Sequence, residues 1–314
     1  MPNFTLNKDG RYSDKRQLKH KKLTIMKRIL FPTDFSEASN NAFVYALKLA
    51  DAIKAELITL HAYELPQLHI GGLPNTLKEV YDSIELENFE NFKDQIPMLR
   101  DIAEQHNLAH VKISNILKHG DLIWTIKKVT KEENIDYVVM GTKGAKSNYD
   151  RFIGSNASRV ATNSEIPVLV IPQSITYRQI SKIVIGVDPN LEYEQSVAWL
   201  SESLLQDVHD VSLFSAGSPS IEEDMVHYQK RLAGIIHEHA PKCRVNGKVL
   251  ATVDTLSSLD GFVKDLDADL LVLTTHHRGV FERIFDPGMT KKLTLKADIP
   301  ILAIPMRKVP VYLF

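Results

Sequence analysis

The sequence predicts an α/β protein made of two tandem open parallel five-stranded sheets, each with helices on both faces. Three observations carry that prediction. Short, almost continuously apolar runs recur along the chain, as expected of parallel strands covered on both sides. Amphipathic stretches of helical period separate them, and such alternation gives right-handed crossovers and an open sheet. The pattern also comes twice: Lys27–Asp34 (Lys-Arg-Ile-Leu-Phe-Pro-Thr-Asp) matches Ser181–Asp188 (Ser-Lys-Ile-Val-Ile-Gly-Val-Asp), 154 positions later.

In the first copy the strands are expected at 27–33, 56–62, 110–116, 135–140 and 166–171. In the second they are expected at 182–187, 210–215, 244–250, 269–274 and 299–304. After the first strand, Ala42, Phe43, Ala46, Leu47, Ala50 and Ile53 share one helix face, with Ser36 placed as N-cap. After the third, Asp121 can cap a helix carrying Leu122, Ile126 and Val129. Asp136–Met140 matches Asp269–Leu273, and Ile166–Pro172 matches Ile299–Pro305, both offset by 133. The offset has shrunk by 21, so the first copy carries that much extra chain between His61 and His110. Pro66–Asn75 reads as an inserted loop there. Tyr and Phe residues through 81–92 read as a helix face.

These boundaries divide the chain into a basic disordered extension (1–25), a first domain (26–173), a second domain (180–306) and a C-terminal tail (307–314). The 314 residues are 44% hydrophobic and 25% charged, a globular mixture with ample material for a core. No apolar run approaches the ~18 residues of a membrane span, so a soluble, cytoplasmic protein is expected. The single cysteine, Cys243, excludes an internal disulfide framework and a cysteine-built zinc site, and reads as a buried thiol. Net charge is −1, yet residues 1–28 carry nine Lys/Arg against two Asp, leaving −8 for the remainder. The basic stretch is polar without helical period, which reads as a loose extension and argues against a nucleic-acid contact. It lacks the apolar segment of a secretory signal, and Met26, directly before the first strand, is a second candidate start.

Ligands in open parallel sheets bind beyond the carboxyl ends of strands, where the strand order reverses. Two loops qualify in the first copy. One is Pro32-Thr33-Asp34-Phe35-Ser36. The other is Gly141-Thr142-Lys143-Gly144, followed after nine residues by Gly154-Ser155. Gly141 and Gly144 permit positive φ and let main-chain N–H groups approach a ligand. Gly154-Ser155 opens a helix over Asn156–Asn163 whose free amides and dipole favour an anion. Lys143, Lys146 and Arg151 lie between and could neutralise phosphate charge. Taken singly, each of these is also an ordinary turn glycine, capping aspartate or solvated loop cation.

The spacing Gly-x-x-Gly-(x9)-Gly-Ser, set between Val-Val-Met140 and Ile-Pro-Val-Leu-Val, resembles the nucleotide motif of the ATP-binding universal stress proteins. Pro-Thr-Asp-Phe-Ser-Glu-Ala-Ser resembles that family's first strand and loop, and the resemblance runs from Met26 to Met306 in two copies. It implies a Rossmann-like sheet ordered 3-2-1-4-5 in each copy, with nucleotide between strands one and four. By position, Pro32, Thr33 and Asp34 line the adenine and ribose side, and Ala62 meets adenine through its backbone. Met140, Gly141, Lys143 and Gly144 flank ribose and phosphates; Gly154, Ser155, Asn156 and Ala157 hold the phosphates. Asn156 and Ala157 depart from the Val-Thr or Val-Ser usual there, which removes a hydroxyl donor and leaves the amides. The implied cofactor is ATP, with or without Mg.

The second copy departs further, with Thr274 where Gly141 stands, His277 at Gly144, Pro287 at Gly154 and Gly288 at Ser155. A β-branched threonine disfavours positive φ and proline has no N–H, so one nucleotide per chain is expected. His276-His277 and His237-Glu238-His239 lack the spacing of a zinc site. The leading expectation is a stress-response regulator that binds ATP in its first domain, with the second as internal pseudo-dimer partner. The amide-rich site offers no general base beside the phosphates, which favours binding over catalysis. The alternatives are slow ATP hydrolysis or autophosphorylation, and a nucleotide-free scaffold. A further protein partner, a homodimer and the stress served are left open by the sequence.

Overall fold

The computed structural model describes residues 26–66, 74–142, 155–188, 192–218, 220, 222–252, 254–275 and 299–305. The expected extension and tail lie outside them. Ten strands are described: β1 (Arg28–Pro32), β2 (Glu56–Tyr63), β3 (Ile113–His119), β4 (Tyr137–Gly141), β5 (Val168–Ile171), β6 (Lys182–Gly186), β7 (Asp210–Gly217), β8 (Arg244–Ala251), β9 (Leu270–Thr274) and β10 (Ile301–Ile304). Seven α-helices alternate with them: α1 (Glu37–Ile53), α2 (Pro74–Gln105), α3 (Leu122–Glu132), α4 (Ser155–Asn163), α5 (Glu194–Ser203), α6 (Glu222–His239) and α7 (Thr255–Asp265).

The expectation of two separate sheets is corrected. All ten strands form one sheet, in the order β3-β2-β1-β4-β5-β10-β9-β6-β7-β8. Within each half every strand pairing is parallel, and the halves join through an antiparallel pairing of β5 with β10. Leu169 lies opposite Leu302, its own counterpart 133 positions on, so the join runs about a pseudo-two-fold axis. An edge strand exposes unpaired main-chain donors and acceptors, and two near-identical edges, Ile-Pro-Val-Leu-Val-Ile and Ile-Pro-Ile-Leu-Ala-Ile, satisfy each other. Because the join is antiparallel, the carboxyl ends of the two sets of strands lie at opposite ends of the sheet.

The central strands are buried on both faces, which is why they read as unbroken apolar runs. The core on one face is continuous across the join, with Phe31, Phe43 and Leu47 from the first half and Ile185, Val197 and Leu200 from the second. Across that seam the Tyr137 and Trp199 rings lie 5.6 Å apart and Lys27 Nζ donates to Ser203 O at 2.9 Å. Leu30, Val138, Ala157 and Leu271 build the other face.

Three local expectations are refined. The third strand starts at Ile113, not 110, because Leu108–Val111 forms a turn closed by Val111 N to Leu108 O at 3.0 Å. The surplus of the first half goes largely into helix: α2 has 32 residues against 18 in α6, while 67–73 of the expected inserted loop lie outside the described residues. Asp121 does cap α3, its Oδ1 accepting from Trp124 N at 3.0 Å. Ser36 stands at the N-cap of α1, yet its hydroxyl makes no capping bond and instead donates to Asp34 Oδ1 at 2.6 Å. Cys243 is a free, buried thiol, and burial raises its pKa.

Candidate functional site

β1 lies between β2 and β4, and the chain leaves β1 toward β2 but re-enters the sheet at β4 on the other side. The loops after β1 and β4 therefore diverge and leave a crevice above their carboxyl ends. The structure brings Pro32, Thr33, Asp34, Ala62, Met140 and Gly141 to this end of the sheet. Lys143, Gly144 and Gly154, with Lys146 and Arg151, lie outside the described residues.

The loop after β1 is tied at nearly every residue. Thr33 N donates to Leu60 O at 2.9 Å, and Thr33 Oγ1 accepts from Phe35 N at 3.0 Å and sits 3.1 Å from Ser39 Oγ. Thr33 is consequently buried, whereas Asp34 is exposed at the crevice mouth with Oδ1 accepting from the Ser36 amide at 3.1 Å. His61 Nδ1 lies 2.8 Å from Thr33 O. A carbonyl only accepts, so that nitrogen carries the hydrogen.

Ala62 has a specific geometry. β1 ends opposite Leu60, whose carbonyl still faces it, while β2 continues to Tyr63. Main-chain groups alternate sides along a strand, so Ala62, two residues on, presents its N–H and C=O along the edge that β1 has vacated. Met140 is buried in the strand end, and Gly141 closes β4 in register with Ile171. Its backbone is thus extended strand, which corrects the expectation that it supplies positive φ. What it contributes is the missing Cβ.

α4 begins at Ser155 on the crossover from β4 to β5, so its amino end lies at this same end of the sheet. The first-turn amides, among them those of Ser155, Asn156 and Ala157, have no acceptor within the helix, and the helix dipole adds positive potential there. Ala157 packs in the core with Leu30 and Met140, while Asn156 is exposed. Main-chain groups at Ala62, a strand end without a Cβ at Gly141 and an amide cluster at α4 are therefore gathered at one end of the sheet. Asp34 is the only acidic residue of the predicted set. No group of three or more metal-binding side chains occurs among the described residues.

The second half treats the equivalent place differently. Tyr193, 154 positions after Ser39, is buried. Its hydroxyl accepts from Asp188 N, beyond β6, at 2.9 Å and from Thr274 Oγ1, the end of β9, at 3.1 Å. The phenol thus bridges the two strand ends between which a ligand would enter. Tyr228 OH bonds Tyr193 N at 2.7 Å and holds the plug from α6. Burial raises the pKa of Tyr193 to about 12. His277, Pro287 and Gly288 lie outside the described residues, as does His276.

The sequence reading missed Ser39, His61 and Tyr193. The swap of Ser39 for Tyr193 is legible at the offset of 154, but the reach of the phenol to Thr274 depends on β9 lying beside β6. His61 carries no motif, and its role arises only from the pairing of β1 with β2.

Comparison with known proteins agrees with the fold. Residues 26–172 match the model of the Universal stress protein family, so this stretch is a domain of that family. Universal stress protein MJ0577 of Methanocaldococcus jannaschii is 27% identical over 156 residues, covering 46% of this chain and 94% of that protein. Universal stress protein MJ0531 of the same organism is 28% identical over 148 residues, covering 47% and 82%. Among solved structures, a universal stress protein from Archaeoglobus fulgidus superposes over 89% of this chain and 96% of its own, with a TM-score of 0.60 at 14% identity. That likeness is one of fold, and it extends over both halves.

Proposed function

We propose that this chain is a tandem universal stress protein that binds one adenine nucleotide, ATP, in the crevice of its first half, and acts as a nucleotide-responsive regulator in stress. The observation that supports this best is the contrast between the two switch points: the first carries the small residues Gly141 and Ser39, while Thr274 and Tyr193 are bonded to each other across the second. Ala62 offers adenine a main-chain donor and acceptor, Pro32, Thr33 and Asp34 shape the ribose side, and Lys143 and Gly144 flank the phosphates. Gly154, Ser155, Asn156 and Ala157 complete the anion cradle, with any magnesium ion riding on the nucleotide. The second half is an altered copy that supplies the pairing surface through β10, which suits an intrachain pseudo-dimer. No helix among the described residues is long and apolar enough to cross a membrane.

Titration calorimetry with ATP, AMP and cyclic AMP on the full chain tests the reading. The expected result is one site per chain, abolished by Gly144→Val, whose branched side chain occupies the phosphate approach, and unchanged by His277→Val. No binding of any of the three at millimolar concentration, or two equivalent sites, overturns it.

A further inference from the structure

We infer that His61 is a positioning residue for the first crevice, holding the loop after β1 in the shape a nucleotide requires; the inference rests on the nucleotide reading above. Five non-glycine residues among those described have positive φ. Four of them, Lys54, Asn107, Asn134 and Asp267, follow helices α1, α2, α3 and α7, where left-handed residues commonly end a helix. The fifth is Phe35, at φ 58°, in the loop that leads into α1. An aromatic residue gains nothing locally from that conformation, and such outliers persist only where their surroundings over-determine them.

The surroundings here are His61 and Phe92. The Phe35 ring lies 5.1 Å from the His61 ring and 5.9 Å from Phe92, and His61 stacks on Phe92 at 6.4 Å with 21° between planes. On its other side His61 grips the carbonyl of Thr33, the residue that also receives Phe35 N on its side-chain oxygen. One imidazole therefore anchors both the backbone and the aromatic side chain of the loop that ends at Asp34 and Ser36. It stands one residue before Ala62, so the base-facing edge of β2 and the ribose-facing loop are fixed to each other through it.

The second half provides an internal control. The position of His61 is taken there by Ser215, whose hydroxyl instead accepts from Gln229 Nε2 of α6 at 2.9 Å. That amide also donates to Leu213 O and Lys248 O, both at 3.2 Å, so it spans β7 and β8 and, among the described residues, makes no tie to the loop after β6. By sequence the counterparts of His61 and Phe35 there are Ser215 and Pro189, so the aromatic pair of the first half is not repeated in the second.

His61→Ala and His61→Asn in the full chain test the assignment, the asparagine amide being able to donate to Thr33 O from near the place of Nδ1. Hydrogen exchange without nucleotide is read first: His61→Ala is expected to speed exchange across residues 33–39 by about tenfold, with the 187–193 region unchanged and His61→Asn close to wild type. A neutral hydrogen bond contributes roughly 0.5–1.5 kcal/mol, or up to about tenfold, and ATP affinity in calorimetry should fall by about that factor in His61→Ala and recover in His61→Asn. Unchanged exchange in His61→Ala, or equal losses in both variants, overturns the inference. Wild-type protein that binds no ATP overturns the nucleotide reading instead, and the exchange result then still decides whether His61 orders the loop.

Discussion

The two halves of the molecule use one strand order and one register and arrive at opposite outcomes at the switch point. In the first, the residues at the decisive places are small, Ser39 and Gly141, and the loop is braced from the side by His61, Phe35 and Phe92. In the second, Tyr193 and Thr274 bond to each other across the place where a ligand would enter. The difference teaches that two halves with the same strand order can keep matching cores and differ at the switch point, because the gap between strand ends contributes little to the packing beneath. A tyrosine that fills such a gap, with its hydroxyl satisfied twice, adds buried area and removes a need for solvent.

The sharpest way to break the comparison is Tyr193→Ala. Truncating a large buried aromatic costs about 3–5 kcal/mol, and here it also strips a partner from Asp188 N and Thr274 Oγ1. Chemical denaturation should show a loss in that range; a loss under about 1 kcal/mol would mean that the phenol is not the plug described. A smaller effect is expected from Gly141→Thr, which copies the second half into the first. Threonine suits a strand, so stability should change little while ATP affinity drops by about tenfold or more, measured by calorimetry. Unaltered affinity would show that closure of the second crevice owes nothing to Thr274.

The smallest effect is one of pH. Burial lifts the Tyr193 pKa from 10.0 to about 12. A group whose folded pKa is raised contributes stability that is complete below the unfolded value and is lost as pH climbs through the folded one. Wild type should thus lose stability between about pH 10 and 12, and Tyr193→Phe should lose less over the same window. Equal slopes for the two proteins in urea melts across that range would place the ionisation elsewhere, Tyr45 and Tyr137 being buried phenols raised in the same direction.

Much of this was legible in the sequence for plain physical reasons. Strands buried on both faces are apolar through their central positions, so β1, β4, β6 and β9 stand out as runs. Asp121 announces the start of α3 because a capping carboxylate acts within one turn. β3 was harder, being an edge strand whose residues are all partly exposed, and the apolar Val111 belongs to the turn before it. Ser36 departs from the expectation because the amide its side chain would cap, Ser39 N, donates instead to the Ser36 carbonyl at 2.9 Å, while the hydroxyl is turned to donate to Asp34.

By itself the sequence determined the alternation of strand and helix, the recurrence of matching segments, and the amino-acid types at the two switch points. All of these rest on short-range rules or on direct comparison of positions 133 or 154 apart. Only the tertiary structure decided that the two five-stranded sets close into one sheet, that Tyr193 reaches Thr274 and that His61 holds Thr33. Those outcomes depend on which strands lie side by side, and adjacency is set by the mutual burial of whole faces and edges, a property no local stretch of chain contains.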